Sequence, residues 1–192
     1  EFAKHRLTAI EKRKNPLGIS QILITMGGSD PDNVTGKVLE GLNLLNWNTP
    51  LIIDVILGGN SLHIDAVKKL ASNHRFSVSV FNNVSNMAER MLLADLAIGA
   101  GGSTSWERCC LGLPALTTLN AENQTEIINQ LEKFGAIISL GHFKNLTPEL
   151  IMSELNVLYD RPEKLANLSK KCFEVTDGLG VSRVLEAMVG GR

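Results

Sequence analysis

Residues 97–107 read AIGAGGSTSWE: an apolar run, then glycines and small hydroxyl residues, then a helix-like segment. Such a stretch is either a bare turn or a place where backbone and hydroxyls approach a ligand. The flanking sequence repeats its strand, turn, helix order. Short apolar runs occur at 22–25 (ILIT), 51–57 (LIIDVIL), 76–81 (FSVSVF), 96–99 (LAIG), 114–119 (PALTTL) and 136–140 (AIISL). Their brevity and nearly continuous apolar character are those of buried parallel strands. Between them run segments of helical period. Val34, Val38, Leu42 and Leu45 share one face, as do Trp106, Cys109, Cys110 and Leu113. Ile127, Ile128, Leu131 and Phe134 form a third stripe, which ends at Gly135, a helix stop. The tail reads as helices over 148–158, 162–173 and 181–189, with Pro148 and Pro162 in first-turn positions. The reading is an α/β fold: a doubly wound, Rossmann-like domain with a six-stranded, mostly parallel sheet in the common order 3-2-1-4-5-6.

Composition agrees with one globular domain. The chain has 192 residues, 44% hydrophobic and 20% charged, with a net charge of −1. That balance excludes a nucleic-acid-binding surface, which clusters Lys and Arg. Lys12-Arg13-Lys14 reads as a solvated segment. Cys109, Cys110 and Cys172 lack the spacing of a metal site or a disulfide framework and fit a reducing compartment. No apolar run reaches the roughly 18 residues needed to span a bilayer, and no leader pattern is visible. The expected location is cytoplasmic. The chain opens on EFAKHRLTAIEKRKNPLG, without a methionine. Residues 1–20 read as a linker or helix from a missing N-terminal domain, and 21–192 as a nucleotide-binding domain.

The glycine stretch has an echo. Gly27-Gly28-Ser29 follows the first run, and Gly101-Gly102-Ser103 follows the fourth. In the order 3-2-1-4-5-6 strands one and four are neighbours, and ligands bind where the winding reverses between them. Each turn opens a helix, whose leading N–H groups lack intrahelical partners. Glycine removes the Cβ that would hold an anion away, and Ser and Thr hydroxyls add donors. Two such turns in one cleft predict a diphosphate site. Asp30 and Asp32 oppose it by charge and read as helix-start residues, with Asp30 at the cap and Pro31 in the first turn. The stretch 99–104 lacks the third glycine of a dinucleotide fingerprint, and no Gly-Lys-Ser or Gly-Lys-Thr marks a P-loop.

The segments ILITMGGSDPDN, FNNVSNMAERMLLADLAIGAGGSTSWERCCLGLPAL and NAENQ, within residues 22–141, carry a resemblance. They resemble the C-terminal domain of GT-B proteins, and most closely the UDP-2,4-diacetamido-2,4,6-trideoxy-β-L-altropyranose hydrolases of pseudaminic acid synthesis. That family is related to the glycosyltransferase that makes lipid II. The resemblance implies a chain that grips the UDP of a nucleotide sugar. It implies a second, N-terminal domain holding the catalytic histidine, so that this chain has no catalytic residue of its own. It implies hydrolysis of the sugar–phosphate bond, with no metal and no cofactor. Gly28 and Ser29 would meet the diphosphate from one side, and Gly101, Gly102, Ser103 and Thr104 from the other. Glu107 would accept from both ribose hydroxyls. Phe81, Asn82, Asn83 and Val84 would read uracil through backbone groups. Asn123 and Gln124 would reach toward the sugar.

Two other functions compete. A GT-B glycosyltransferase half in surface polysaccharide synthesis would hold the same leaving group. A non-enzymatic nucleotide-binding module would bind without turnover. Trp106 reads as core rather than a stacking platform. His63 reads as a helix-start surface residue away from the cleft, and His5, His74 and His142 lie outside both glycine turns.

Overall fold

Successive residues of a strand face opposite sides of a sheet, and in β1 (Gln21–Thr25) both sides are apolar. Ile22 and Ile24 enter one core cluster and Leu23 the other. The computed structural model describes residues 1–14 and 18–190. After α1 (Arg6–Arg13) and β1 the chain runs through α2 (Val34–Asn43), β2 (Ile52–Leu57), α3 (Ile64–Ser72), β3 (Ser77–Asn82), α4 (Met87–Leu93) and β4 (Leu96–Ala100). It continues with α5 (Thr104–Cys110), β5 (Ala115–Leu119), α6 (Thr125–Phe134), β6 (Ile138–His142), α7 (Pro148–Asp160), α8 (Pro162–Val175) and α9 (Gly180–Val189). Among the described residues, six strands form one sheet in the order β3-β2-β1-β4-β5-β6. Every pairing is parallel. This is the predicted doubly wound, Rossmann-like α/β architecture.

Burial on both faces explains the continuous apolar runs. On one face Ile22, Ile24, Ile53 and Val55 pack with Val38 and Leu42 of α2 and Ile151 and Leu155 of α7. On the other Leu23, Ala97 and Ala115 pack with Met91, Cys109, Ile128, Leu131 and Cys172. Gly135 terminates α6 in the left-handed conformation at φ 83°, the conformation a glycine stop supplies.

Several local expectations are corrected. Helix α2 starts at Val34, three residues after Pro31, because Asn33 is its cap and accepts from the Gly36 amide at 3.2 Å. The last strand is shifted to 138–142, while Ala136 and Ile137 are buried ahead of it. Trp106 is 45% exposed, so it is not core, and Phe134 is equally exposed. Both sit at the margins of their stripes, where long apolar side chains meet solvent.

The basic N-terminal segment is only partly solvated: Lys12 and Lys14 are exposed, while Arg13 is drawn in. Arg13 donates to the carbonyls of Leu111 (2.8 Å), Met91 (2.9 Å) and Ala94 (3.1 Å). Arg6 donates to those of Cys110, Phe173 and Thr176. These are carbonyls at or beyond the C-terminal ends of α4, α5 and α8, where partners are lacking and the helix dipole favours cations. Lys12 pairs with Asp95 at 3.1 Å. Ala9 is fully buried. Helix α1 thus packs against the sheet domain; residues 15–17 of the expected linker lie outside the described residues.

Candidate functional site

Parallel pairing of β1 with β4, with Thr25 opposite Gly99, sends both glycine turns out of the same edge of the sheet. The loop after β2 packs against the first turn: a Cβ on Gly58 would collide with the Gly28 backbone. A Cβ on Gly59 would stand 3.8 Å from Asn83 Cγ, beyond β3. On the other side Gln124 Nε2 lies 3.8 Å from where a Gly102 Cβ would stand. The loops bearing Gly28, Asn83, Gly102 and Gln124 thus form one continuous rim at the C-terminal ends of the strands, the place where such sheets bind ligands.

In the first turn Gly27 takes φ +92°, a conformation other residues resist. The amides of Gly27, Gly28 and Ser29 donate to no protein acceptor among the described residues, and all three residues are exposed. The helix behind them is closed, contrary to expectation. Buried Asp30 accepts from the amides of Val34 (2.8 Å) and Thr35 (3.0 Å). Asp30 therefore caps α2 from four residues ahead of it, and its carboxylate points into the helix rather than the cleft. His63 does not lie apart from this turn: its Nε2 is 2.9 Å from the Pro31 carbonyl.

The second turn differs. Gly101 donates to the Thr118 carbonyl at 3.1 Å. The amides of Gly102, Ser103 and Thr104 again donate to no protein acceptor among the described residues, and the Ser103 side chain makes no capping bond. The two glycines have different reasons. A Cβ on Gly101 would collide with Ile128, so packing explains that position. On Gly102 the nearest neighbour is the Gln124 amide, so the space above it is open.

Glu107 lies one helical turn beyond Thr104 on α5, which places the two on one face. Its half-buried carboxylate has no hydrogen-bond partner among the described residues. Burial raises its pKa above the ordinary glutamate value; Glu1 adds to the rise and Arg108 opposes it. A carboxylate so placed is an acceptor awaiting donors.

The remaining predicted residues line the ends of the rim. Phe81 is half-buried under the Arg90 guanidinium, 3.6 Å above its ring. The Asn83 amide is used by the Leu57 carbonyl at 3.0 Å. Backbone alternation then turns the Asn82 N–H and C=O toward the open edge of β3, away from β2. The Val84 amide has no protein acceptor among the described residues. Asn123 is exposed, while Gln124 accepts from the Asn120 amide at 3.2 Å and directs its nitrogen toward Gly102. A separate cavity at the opposite edge of the sheet, lined by Gly18, Ser20, Thr49, Pro50 and Tyr159, touches none of these residues.

One residue escaped the sequence reading. Arg108 is fully buried beneath the second turn and donates from Nη2 to the Ala100 carbonyl and to Ser105 Oγ, both at 2.9 Å. Its signal was an arginine directly ahead of the apolar run Cys109, Cys110 and Leu111. Among the described residues no cluster of His, Cys, Asp and Glu has the arrangement of a metal site. No helix of the described residues is long and apolar enough to cross a membrane.

The family model of the glycosyltransferase family 28 C-terminal domain matches residues 21–180. The spore coat polysaccharide biosynthesis protein SpsG of Bacillus subtilis is 28% identical over 163 residues, covering 85% of this chain and 48% of that protein. The UDP-N-acetylglucosamine–N-acetylmuramyl-(pentapeptide) pyrophosphoryl-undecaprenol N-acetylglucosamine transferase of Acetivibrio thermocellus is 23% identical over 186 residues, 94% of this chain and 50% of that protein. In structure, MurG of Acinetobacter baumannii superposes with a TM-score of 0.79 at 20% identity, over 93% of this chain and 52% of that one. The chain thus spans about half the length of each of these relatives. The expected hydrolase is overturned: the matching family is one of glycosyltransferases, and the A. thermocellus relative is named for sugar transfer.

Proposed function

Because this chain belongs to the family of glycosyltransferase family 28 C-terminal domains, we propose that it is the donor-binding half of a GT-B glycosyltransferase in surface polysaccharide synthesis, gripping the UDP of a nucleotide sugar. The observation that carries this reading is the rim itself. Six amides in two turns, on adjacent strands, have no protein acceptor among the described residues, and an unpartnered, half-buried carboxylate stands beside them. Amides of that kind suit phosphate oxygens, and the carboxylate suits a vicinal diol.

In this reading Gly28 and Ser29 approach the diphosphate from the β1 side, and Gly102, Ser103 and Thr104 from the β4 side. Gly101 contributes by letting α6 pack close. Glu107 accepts from the ribose hydroxyls. The Asn82 backbone N–H and C=O meet O4 and N3–H of uracil, with Phe81, Asn83 and Val84 shaping that end. Gln124, with Asn123 beside it, faces the sugar. Acceptor-side chemistry belongs to another half of a longer protein. The exposed Val181, Val184, Leu185 and Met188 of α9 support a further packing partner of that kind.

Calorimetric titration of the chain with UDP, UMP and NADH tests the grip. UDP is expected to bind more tightly than UMP, and NADH not at all; NADH binding with UDP excluded would remove the reading. For the whole protein, UDP release from a UDP-sugar is expected to require an acceptor. Release at full rate without one would count against transfer.

A further inference from the structure

Arg108 heads the large side chains that are fully buried among the described residues. No carboxylate forms a salt bridge with it among those residues. Nη2 is satisfied twice, but Nε and Nη1 meet no protein acceptor. Nη1 lies 2.5 Å from where a Gly99 Cβ would stand, and Gly99 faces Thr25 across the β1–β4 seam. The guanidinium therefore sits under the end of that seam, at the root of the second glycine turn. Any side chain at Gly99 would displace it. A buried guanidinium that no carboxylate pairs with directly is unfavourable, because the protein interior does not replace its hydration. An anion held just above it offsets that cost.

We propose that Arg108 is a positioning residue for the diphosphate: its buried charge beneath the second glycine turn, in the space left by Gly99, draws the phosphates onto the Gly102–Thr104 loop. Its bond to the Ala100 carbonyl also fixes the chain just ahead of that loop. The inference rests on the nucleotide-binding reading above. It assigns the loop's preference for charged ligands to a residue that need not touch them.

The test compares UDP, UMP and uridine binding to the chain and to its Arg108→Gln and Arg108→Lys variants, with thermal unfolding of each protein measured alongside. For Arg108→Gln the UDP affinity should fall about tenfold while that for uridine changes less than about twofold, since removing a buried charge acts on the anion. Arg108→Lys should retain part of the UDP affinity. An equal loss for uridine and UDP would mean the arginine only supports the fold, and would overturn the proposal, as would unchanged UDP affinity. If Arg108→Gln does not fold, Arg108→Lys decides by the same ratio: a selective loss for UDP supports the proposal, and an equal loss or none overturns it. Failure of the unsubstituted chain to bind UDP would overturn the nucleotide reading and this inference together.

Discussion

The two Gly-Gly-Ser turns are identical in sequence and opposite in wiring. Behind the first, Asp30 and Asn33 consume the leading amides of α2, and a buried carboxylate faces inward. Behind the second, Ser103 leaves its helix uncapped, and a buried guanidinium lies below. The buried charge is negative behind the first turn and positive behind the second. An anion on the rim therefore meets donors from both turns but favourable background charge from only one. A tripeptide motif sets which groups are exposed; its neighbours on the helix set what those groups attract.

The comparison can be broken in three places. The largest effect is expected at Asp30. Asp30→Ala strips α2 of two charge-assisted bonds in a buried setting and should lower stability by about 2–3 kcal/mol, read by denaturant unfolding. An unchanged midpoint would show that α2 is closed by other means. Next, Ser103→Ala and Ser29→Ala should divide unequally. Loss of the Ser103 hydroxyl should cost about 1–1.5 kcal/mol of UDP binding and Ser29→Ala about half as much, as hydrogen bonds of modest net worth do. Equal costs by calorimetry would erase the electrostatic asymmetry between the turns.

The smallest effect is a pH dependence. In the proposed grip Glu107 accepts from both ribose hydroxyls at full strength only when ionised, and its pKa is raised chiefly by burial. UDP binding should therefore weaken as pH falls through that raised value, starting above the ordinary glutamate range. The same raised pKa means that ionising Glu107 opposes folding, so its contribution to stability is present at low pH and is lost as pH rises through the folded-state value. Glu107→Gln should flatten its share of the binding profile. Phosphate titrates in both proteins, so the difference between the two curves isolates the carboxylate. Parallel curves would remove Glu107 from the ribose.

Strand order was legible because a sheet buried on both faces leaves continuous apolar runs, and right-handed crossovers restrict how they connect. That order alone made neighbours of residues 27–29 and 101–103, which are far apart in sequence. Helix stops such as Gly135 were legible too, because backbone conformation is a local property. Side-chain partners were not. Arg13 looked solvated until helix ends elsewhere in the chain supplied carbonyls for it. Trp106 had the period of a core residue, but its stripe meets the solvent before reaching it.

The amino-acid order by itself determined the winding, the shared edge of the two glycine turns and the absence of a P-loop, since each follows from short-range pattern and chain connectivity. Only the tertiary structure decided which turn has free helix amides behind it, that Gly101 is bare for Ile128, and that Arg108 lies beneath the seam with Nε and Nη1 unpartnered. Those facts depend on contacts between distant residues in a low-dielectric interior, where a few ångströms separate a capped helix from an anion site.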